Sequence, residues 1–145
     1  MSAAPPFAPD AALVLGIAAT AIPFARTPED EAERWLRVLR LHGEVGVALQ
    51  ALGVSEGSLR AHPGEPVDRE RFAAASNPEQ RDVVALVSER AARAAADREA
   101  PGIGTVDVLL AVMDVYGTVF ERALHAHGTD ADEVLERLRA ERRAA

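Results

Sequence analysis

The chain contains no cysteine and no lysine, and each absence removes a class of chemistry. Without cysteine it has no disulfide framework, no thiol nucleophile and no thiolate metal site. Without lysine it has no Walker A loop, which needs that side chain to reach nucleotide phosphates, and no Schiff-base catalysis. Any function of this chain must therefore come from other residue types.

Aromatic residues and basic charge are also scarce. Only 4% of the 145 residues are aromatic, and 23 acidic residues outnumber 16 arginines, which gives a net charge of −7. Nucleic-acid binding needs a basic face, so no nucleic-acid partner is expected. An acidic surface attracts basic segments of other proteins instead. The length predicts one domain with a real hydrophobic core.

The longest apolar stretch, residues 11–22, is too short to span a membrane. It is about half of the roughly 20 residues that a spanning helix needs. Asp10 opens it and no basic residue precedes Arg26, so it also lacks the form of a secretory signal. We predict a cytoplasmic protein with no membrane partner, in which this stretch is a buried core helix. A self-association contact through the same helix is an alternative, so the chain would be a monomer or a weak dimer.

Two segments carry clear helix starts. Thr27 supplies a cap oxygen, Pro28 suits the first helical position and acidic residues follow; Asn77 and Pro78 repeat this pattern. No segment alternates like a strand. The pattern predicts eight helices, at about residues 10–22, 28–41, 44–52, 55–61, 78–99, 105–115, 119–127 and from 130 onward.

A short helical unit occurs twice. An Ala/Leu helix ends at Gly53 before a polar cap, and a second one ends 75 positions later at Gly128. A longer apolar helix precedes each copy. This duplication predicts an all-α domain of two four-helix repeats with pseudo-twofold symmetry, and it favours a binding module over a single catalytic centre. The predicted parts are a flexible tail (1–9), repeat one (about 10–61), a linker (about 62–76), repeat two (about 77–140) and a C-terminal tail (141–145).

Residues 103–112 read Ile-Gly-Thr-Val-Asp-Val-Leu-Leu-Ala-Val. This resembles the Ile-Gly-Thr-Glu-His-Leu-Leu-Leu-Ala-Leu stretch of the Clp N-terminal domain, the duplicated four-helix module (Clp repeat) that precedes the ATPase rings of Clp-type unfoldases. The agreement continues at residues 120–124 and 134–138, and residues 43–54 are similar to the second half of the same repeat. The first copy lacks the Ile-Gly-Thr element.

The resemblance implies a non-enzymatic, chaperone-related protein-binding module without its ATPase parts. Such a protein would be an adaptor, regulator or decoy in proteolysis regulation, with a Clp unfoldase, an adaptor or a client peptide as partner. Docking is expected at the groove between the copies and at the helix starts around residues 27–31 and 104–107. The predicted binding residues, including two flanking aromatics, are Phe7, Phe24, Thr27, Asp30, Glu31, Gly104, Thr105, Val106 and Asp107.

One position departs from the family pattern. In some family members the Glu after Gly-Thr helps to bind phosphorylated arginine of client proteins. In this chain Val106 stands there and Asp107 follows, while Asp30 and Glu31 are the candidates in the first copy. The resemblance therefore does not carry a prediction of phosphoarginine binding.

Other interpretations of these residues are weighed against protein binding. The main alternative is a protein that binds or sequesters a hydrophobic small molecule or cyclic peptide. No catalytic residue and no cofactor are predicted, because Thr105 and Asp107 are typical of a helix cap and no acid–base constellation accompanies them. His125 and His127 lie two apart on a helix and point to different faces, so no metal site is predicted. The acidic residues 29–33 are either a solvated helix start or a docking point for a basic peptide.

Overall fold

The computed structural model describes residues 5–54 and 83–144, and in these ranges the chain is all-helical with no strand. The predicted all-α class is therefore confirmed. The described residues form a 3-10 helix, Ile22–Phe24, and seven α-helices: α1 Pro9–Ala21, α2 Pro28–Arg40, α3 Gly43–Ala51, α4 Val83–Asp97, α5 Thr105–Tyr116, α6 Thr118–Ala126 and α7 Ala131–Ala144. The predicted helix at 55–61, the linker at 62–76 and the predicted start at Asn77 lie outside the described residues. No described helix is both long and apolar enough to cross a bilayer.

Helix α2 begins as its sequence predicts and supplies much of the core. Thr27 is the N-cap, and its Oγ1 accepts a 3.0 Å hydrogen bond from the backbone N–H of Asp30. Pro28 is the first helical residue. Ala32, Trp35, Leu36 and Leu39 have the i, i+3, i+4, i+7 spacing that predicts one inner stripe, and this is confirmed because all four are buried, together with Val38. A buried aromatic removes about 150–250 Å² from water, so Trp35 is a large contributor to stability.

Helix α1 is buried on one face only, which corrects the prediction that this stretch is a buried core helix. Its buried residues are the small ones, Ala11, Val14 and Ala18, at the spacing of one helical stripe. Leu13 is 49% exposed and Ile17 is 36% exposed. Small residues let α1 pack closely against the bundle, and no described neighbour covers the opposite side. The helix begins at Pro9 with Ala8 as N-cap, one residue before the predicted start at Asp10.

Helix α4 also faces the core with a narrower stripe than predicted. Val87, Ala91 and Ala95 are buried, whereas Leu86 is 37% exposed. The helical spacing predicts a wider inner stripe of Val83, Leu86, Val87, Arg90, Ala91 and Ala94, but Arg90 forms an ion pair with Asp114 of α5. The stripe follows the small residues because α4 packs closely on α5.

Helices α3 and α6 end in the same way. After α3, Val54 N–H bonds the carbonyl of Leu49 at 3.0 Å and Gly53 N–H bonds that of Gln50 at 3.1 Å. The second copy, 75 positions later, has the same two bonds, from Thr129 to Leu124 at 3.0 Å and from Gly128 to His125 at 2.9 Å. Both glycines have φ of +88°. Each end is a Schellman motif, whose left-handed residue favours glycine.

The helices pack in a reciprocal pattern. Helix α2 contacts α3 and α6, and α5 contacts α6 and α3. Helix α1 packs on α2 as α4 packs on α5, while α2 and α5 also contact each other. Helix α7 packs on α3. One hydrophobic core runs through all of these contacts, with Trp35 and Phe120 as its largest fully buried side chains.

Both ends of the described chain differ from the predicted tails. Within the predicted tail 1–9, Phe7 forms a parallel bridge with Ile103, and Pro9 already belongs to α1. Within the predicted tail 141–145, α7 continues to Ala144, and Arg142 of that helix bonds Glu44 at 3.0 Å. Tertiary partners that lie far away in the sequence hold both segments.

Candidate functional site

The two predicted helix starts lie at opposite ends of the bundle. Glu31, near the start of α2, contacts Tyr116 at the end of α5. Gly43, just after the end of α2, lies against Thr105 at the start of α5, because a Cβ on Gly43 would sit 2.7 Å from the Thr105 Oγ1. Helices α2 and α5 therefore run antiparallel, and the 12 residues of α5 separate the two starts by about 18 Å. The predicted binding residues form two sites and not one.

The first site, here called the arm site, consists of residues 5–8 and residues 103–107. The Ile103 N–H donates to the Pro6 carbonyl at 2.8 Å, and the Ala8 N–H donates to the Ile103 carbonyl at 2.9 Å. These two bonds place Phe7 beside the start of α5, as a parallel bridge partner of Ile103. The structure thus brings Phe7 close to the Gly-Thr element. The sequence predicted both as binding residues but did not predict that they are neighbours.

Asp107 is the structural centre of the arm site. Its side chain is fully buried, and its Oδ2 accepts a 2.9 Å hydrogen bond from the Gly104 N–H. The Arg98 Nη2 bonds the same carboxylate at 2.6 and 2.8 Å, and the Arg98 Nε adds a contact at 3.1 Å. Asp107, and not Thr105, provides the side-chain cap of this helix, which corrects the predicted cap. Because the Asp107 carboxylate is buried and paired with Arg98, its hydrogen bond fixes the position of the Gly104 backbone.

The remaining members of the arm site differ in exposure. Thr105 is 3% exposed, whereas Phe7 is 40% exposed. Val106 is half-buried. One helical turn beyond Val106, Leu110 is 37% exposed. The accessible side chains among residues 5–8 and 103–107 are therefore apolar, while the Asp107 carboxylate is buried and the Arg98 side chain that pairs with it is 43% exposed.

The second site, here called the tyrosine site, consists of Trp35, Tyr116 and Glu31. The Trp35 Nε1–H donates to the Tyr116 hydroxyl oxygen at 2.9 Å, and the Tyr116 hydroxyl donates to the Glu31 Oε1 at 2.8 Å. This chain of hydrogen bonds joins the two sequence halves. Each member satisfies the next, and no buried side-chain nitrogen or oxygen of the described residues lacks a partner.

Burial shifts the titration of both ionisable groups at the tyrosine site. It raises the pKa of the Glu31 carboxyl; the hydrogen bond from Tyr116 opposes this shift, and the charge of Asp30 adds to it. Burial also raises the pKa of the Tyr116 phenol, the acceptor and charge of Glu31 raise it further, and the hydrogen bond from Trp35 lowers it. A phenol with a raised pKa is a poorer proton donor near neutral pH than a free phenol.

The acidic start of α2 is largely engaged within the molecule. Asp30 pairs with Arg34 at 3.3 Å and accepts from the Arg26 N–H at 3.3 Å. Glu33 contacts the Nε2 of His127 at 2.6 Å, and the side chain of His127 is only 4% exposed. His127 thus joins the end of α6 to α2. No group of three possible metal ligands occurs among residues 5–54 and 83–144.

Phe24 and Thr27 complete the set of predicted binding residues. Phe24 is 54% exposed in the 3-10 helix that follows α1. Thr27 is also exposed, although its hydroxyl caps α2. Both belong to the end of the bundle that carries the tyrosine site, and neither lies with the Gly-Thr element.

Arg98, Trp35 and Tyr116 help to organise these sites and were not predicted as site residues, whereas Asp107 was. Tyr116 continues the inner stripe of Val108 and Val112 at four-residue steps, and that spacing could have indicated its burial. An acidic residue at the third helical position, as at Asp107, is a recognised cap signal. No sequence signal points to Arg98 as its partner, nor to Glu33 as the partner of His127.

Comparison with known proteins adds no relative to this picture. No protein-family model matches the chain, and searches of curated proteins and of solved structures give no match either.

Proposed function

We propose that this chain is a non-catalytic module that binds extended segments of other proteins and acts in a Clp unfoldase–protease system. Its design would be a duplicated helical unit like that of the Clp N-terminal domain. The observation that carries the proposal is the reciprocal packing of α2 with α6 and of α5 with α3. The matching ends of α3 and α6, 75 positions apart, agree with it, although α4 ends with the same pair of bonds. An ancestral unit that was copied would leave both features.

The chemistry of the described side chains supports binding over catalysis. Asp107 and Glu31, the most buried carboxylates of the predicted sites, hold a helix start and a tyrosine in place. Asp107 is already paired with Arg98, which argues against binding of a client phosphoarginine by this carboxylate. Phe7 of the arm site and Leu110, one helical turn beyond Val106 on α5, are exposed and apolar, and such groups suit extended apolar segments of a partner.

The test measures degradation of an unfolded client by a purified Clp unfoldase–protease pair, with and without this chain. An adaptor raises the rate and a decoy lowers it, and Leu110→Ser reduces either effect. Val47→Ser is the matched control, since Val47 is 60% exposed and lies on α3, outside both sites. An unchanged rate, with no binding of the chain to unfoldase or client, contradicts the proposal. A thermal shift with a hydrophobic cyclic peptide under those conditions would support the sequestering alternative instead.

A further inference from the structure

The segment 5–8, here called the N-terminal arm, occupies both backbone hydrogen-bonding groups of Ile103. The Ile103 N–H and carbonyl bond Pro6 and Ala8 at 2.8 and 2.9 Å. Ala8 has φ of −62° and ψ of 151°, an extended conformation. The arm therefore pairs with the Ile103 backbone as in a parallel β-bridge. Backbone pairing of this kind is a common way in which proteins recognise extended peptides.

The position that the arm occupies is held in shape by groups other than the arm. Asp107 bonds the Gly104 N–H, and Arg98 fixes the Asp107 carboxylate. The Ile103 side chain is fully buried in the core. Because these contacts do not involve residues 5–8, the Ile103 backbone stays ordered when the arm leaves, and it then presents one donor and one acceptor.

The arm is joined to Ile103 by backbone hydrogen bonds. Its largest side chain, Phe7, is 40% exposed, and Pro6 is exposed. The two hydrogen bonds that join the arm to Ile103 come from backbone groups, which any extended segment can offer. Tethering gives the arm a high effective concentration, so it competes with free peptides without binding tightly.

We propose that the N-terminal arm is a built-in competitor that covers the peptide-binding position of the arm site. A partner segment of the same chemistry, extended and carrying proline and an aromatic residue, binds Ile103 when the arm is displaced. This inference rests on the proposed function, because it names the kind of segment bound and the contact that regulates binding.

The test uses the full chain with one backbone donor removed. Ala8→Pro deletes the Ala8 N–H, and the φ of −62° at this position suits proline. Pro6→Ala is the matched control, since it leaves the Pro6 carbonyl and the Ala8 N–H in place. The probe is a fluorescently labelled synthetic peptide with the sequence of residues 3–9, and its binding is followed by anisotropy. A second peptide carries an N-methyl group at the alanine that corresponds to Ala8.

The arm competes only if releasing it strengthens peptide binding. We expect Ala8→Pro to bind the probe at least about fivefold more tightly than the unaltered chain, and Pro6→Ala to stay within about twofold of it. We expect the N-methylated peptide to lose most of its affinity, and the Ile103 amide to exchange faster with solvent in Ala8→Pro. Equal affinities of the two chains, or no binding to Ala8→Pro, would overturn the inference. Full binding of the N-methylated peptide, or unchanged exchange at Ile103, would overturn it as well.

The inference and the proposed function fail in different ways. If the unaltered chain changes client degradation while Ala8→Pro binds the probe no better, the competitor role is wrong and the function stands. If Ala8→Pro gains affinity for the probe but the chain affects neither unfoldase nor client, the arm mechanism stands and the Clp assignment is wrong.

Discussion

The indole N–H of Trp35 donates to the hydroxyl of Tyr116 at 2.9 Å, across 81 positions of sequence. These are the only tryptophan and the only tyrosine of the chain. The bond joins α2 of the first half to the end of α5 in the second half. The Tyr116 hydroxyl in turn donates a hydrogen bond to the Glu31 carboxylate. A single hydroxyl therefore links the two halves and can be removed by one substitution.

Tyr116→Phe is expected to lower the free energy of unfolding by about 1–3 kcal/mol, because the buried Trp35 N–H loses its acceptor. Urea denaturation followed by tryptophan fluorescence measures this. Thr20→Val is the control, since the exposed Thr20 hydroxyl donates only to the Ile17 carbonyl of its own helix, and its loss should cost within about 0.5 kcal/mol. Equal effects of the two substitutions would show that the hydroxyl of Tyr116 does not hold the halves together.

Glu31 should make stability depend on pH. Since the folded state raises its pKa above the ordinary 4.5, its favourable contribution is complete below pH 4.5 and is lost as the pH rises through the folded value. Glu31→Gln removes this loss, so its stability advantage over the unaltered chain should grow from pH 4.5 toward neutrality. Denaturant melts across that range test the trend, with Glu29→Gln as a control that removes an exposed carboxylate from the same helix turn. An advantage that shrinks with rising pH would contradict the burial of Glu31.

The single tyrosine also permits an optical titration. The pKa of Tyr116 is raised above the ordinary 10.0, so the phenol should stay protonated in the folded protein above that pH. The stability that it contributes is full below pH 10.0 and declines above it. Tyrosinate absorbance should therefore rise only together with unfolding, as judged by circular dichroism. In Glu31→Gln the folded protein should ionise at lower pH, because Glu31 is one cause of the shift. Ionisation near pH 10.0 with the fold intact would refute this account.

Glu99 offers a stabilising substitution. It has φ of +54°, and its N–H bonds the Ala96 carbonyl at 3.0 Å in the left-handed position that ends α4. Glycine accepts this conformation without strain, so Glu99→Gly should raise the free energy of unfolding by about 0.5–1 kcal/mol. Glu99→Ala keeps the strain and should give no such gain. Thermal denaturation of both variants measures the difference. Equal stabilities of Glu99→Gly and Glu99→Ala would argue against a left-handed conformation at position 99.

The buried carboxylate of Asp107 should be costly to disturb. Asp107→Ala removes both the cap of Gly104 and the pair with Arg98, and we expect a loss of about 2–4 kcal/mol. Arg98→Ala should cost about 1–3 kcal/mol because it leaves the buried carboxylate without its guanidinium. Arg93→Ala is the control, since Arg93 pairs with Glu89 where both side chains are about 70% exposed, and it should change stability by less than about 1 kcal/mol. Chemical denaturation of the three variants measures their losses of stability. An equal loss in Arg93→Ala and Arg98→Ala would contradict the structural role of the Arg98–Asp107 pair.

The sequence predicts the local structure of this chain well where short-range chemistry decides it. Thr27 and Pro28 mark a helix start, Gly53 and Gly128 mark helix ends, and the spacing of Trp35 and its neighbours marks the core stripe. Each of these depends on residues within a few positions of one another, so the pattern contains the answer.

The partners of the polar side chains could not be predicted in this way. The Glu31 side chain meets Tyr116, and Asp107 meets Arg98, only after the helices have packed. The sequence therefore favoured docking roles for acidic residues that the fold uses internally. It also favoured a loose tail where Ile103 holds the arm, because one isolated bridge leaves no alternating pattern in the sequence.

The most direct test of a protein-binding role maps the contact residue by residue. Backbone amide spectra of the isotope-labelled chain, recorded while an unfolded Clp client is added, report which amides change. The account predicts that the changes centre on residues 103–110 and on the N-terminal arm, and that Leu110→Ser weakens them while Val47→Ser does not. Spectra that remain unchanged at saturating client, or changes confined to the far end of the bundle around Phe24, would contradict it.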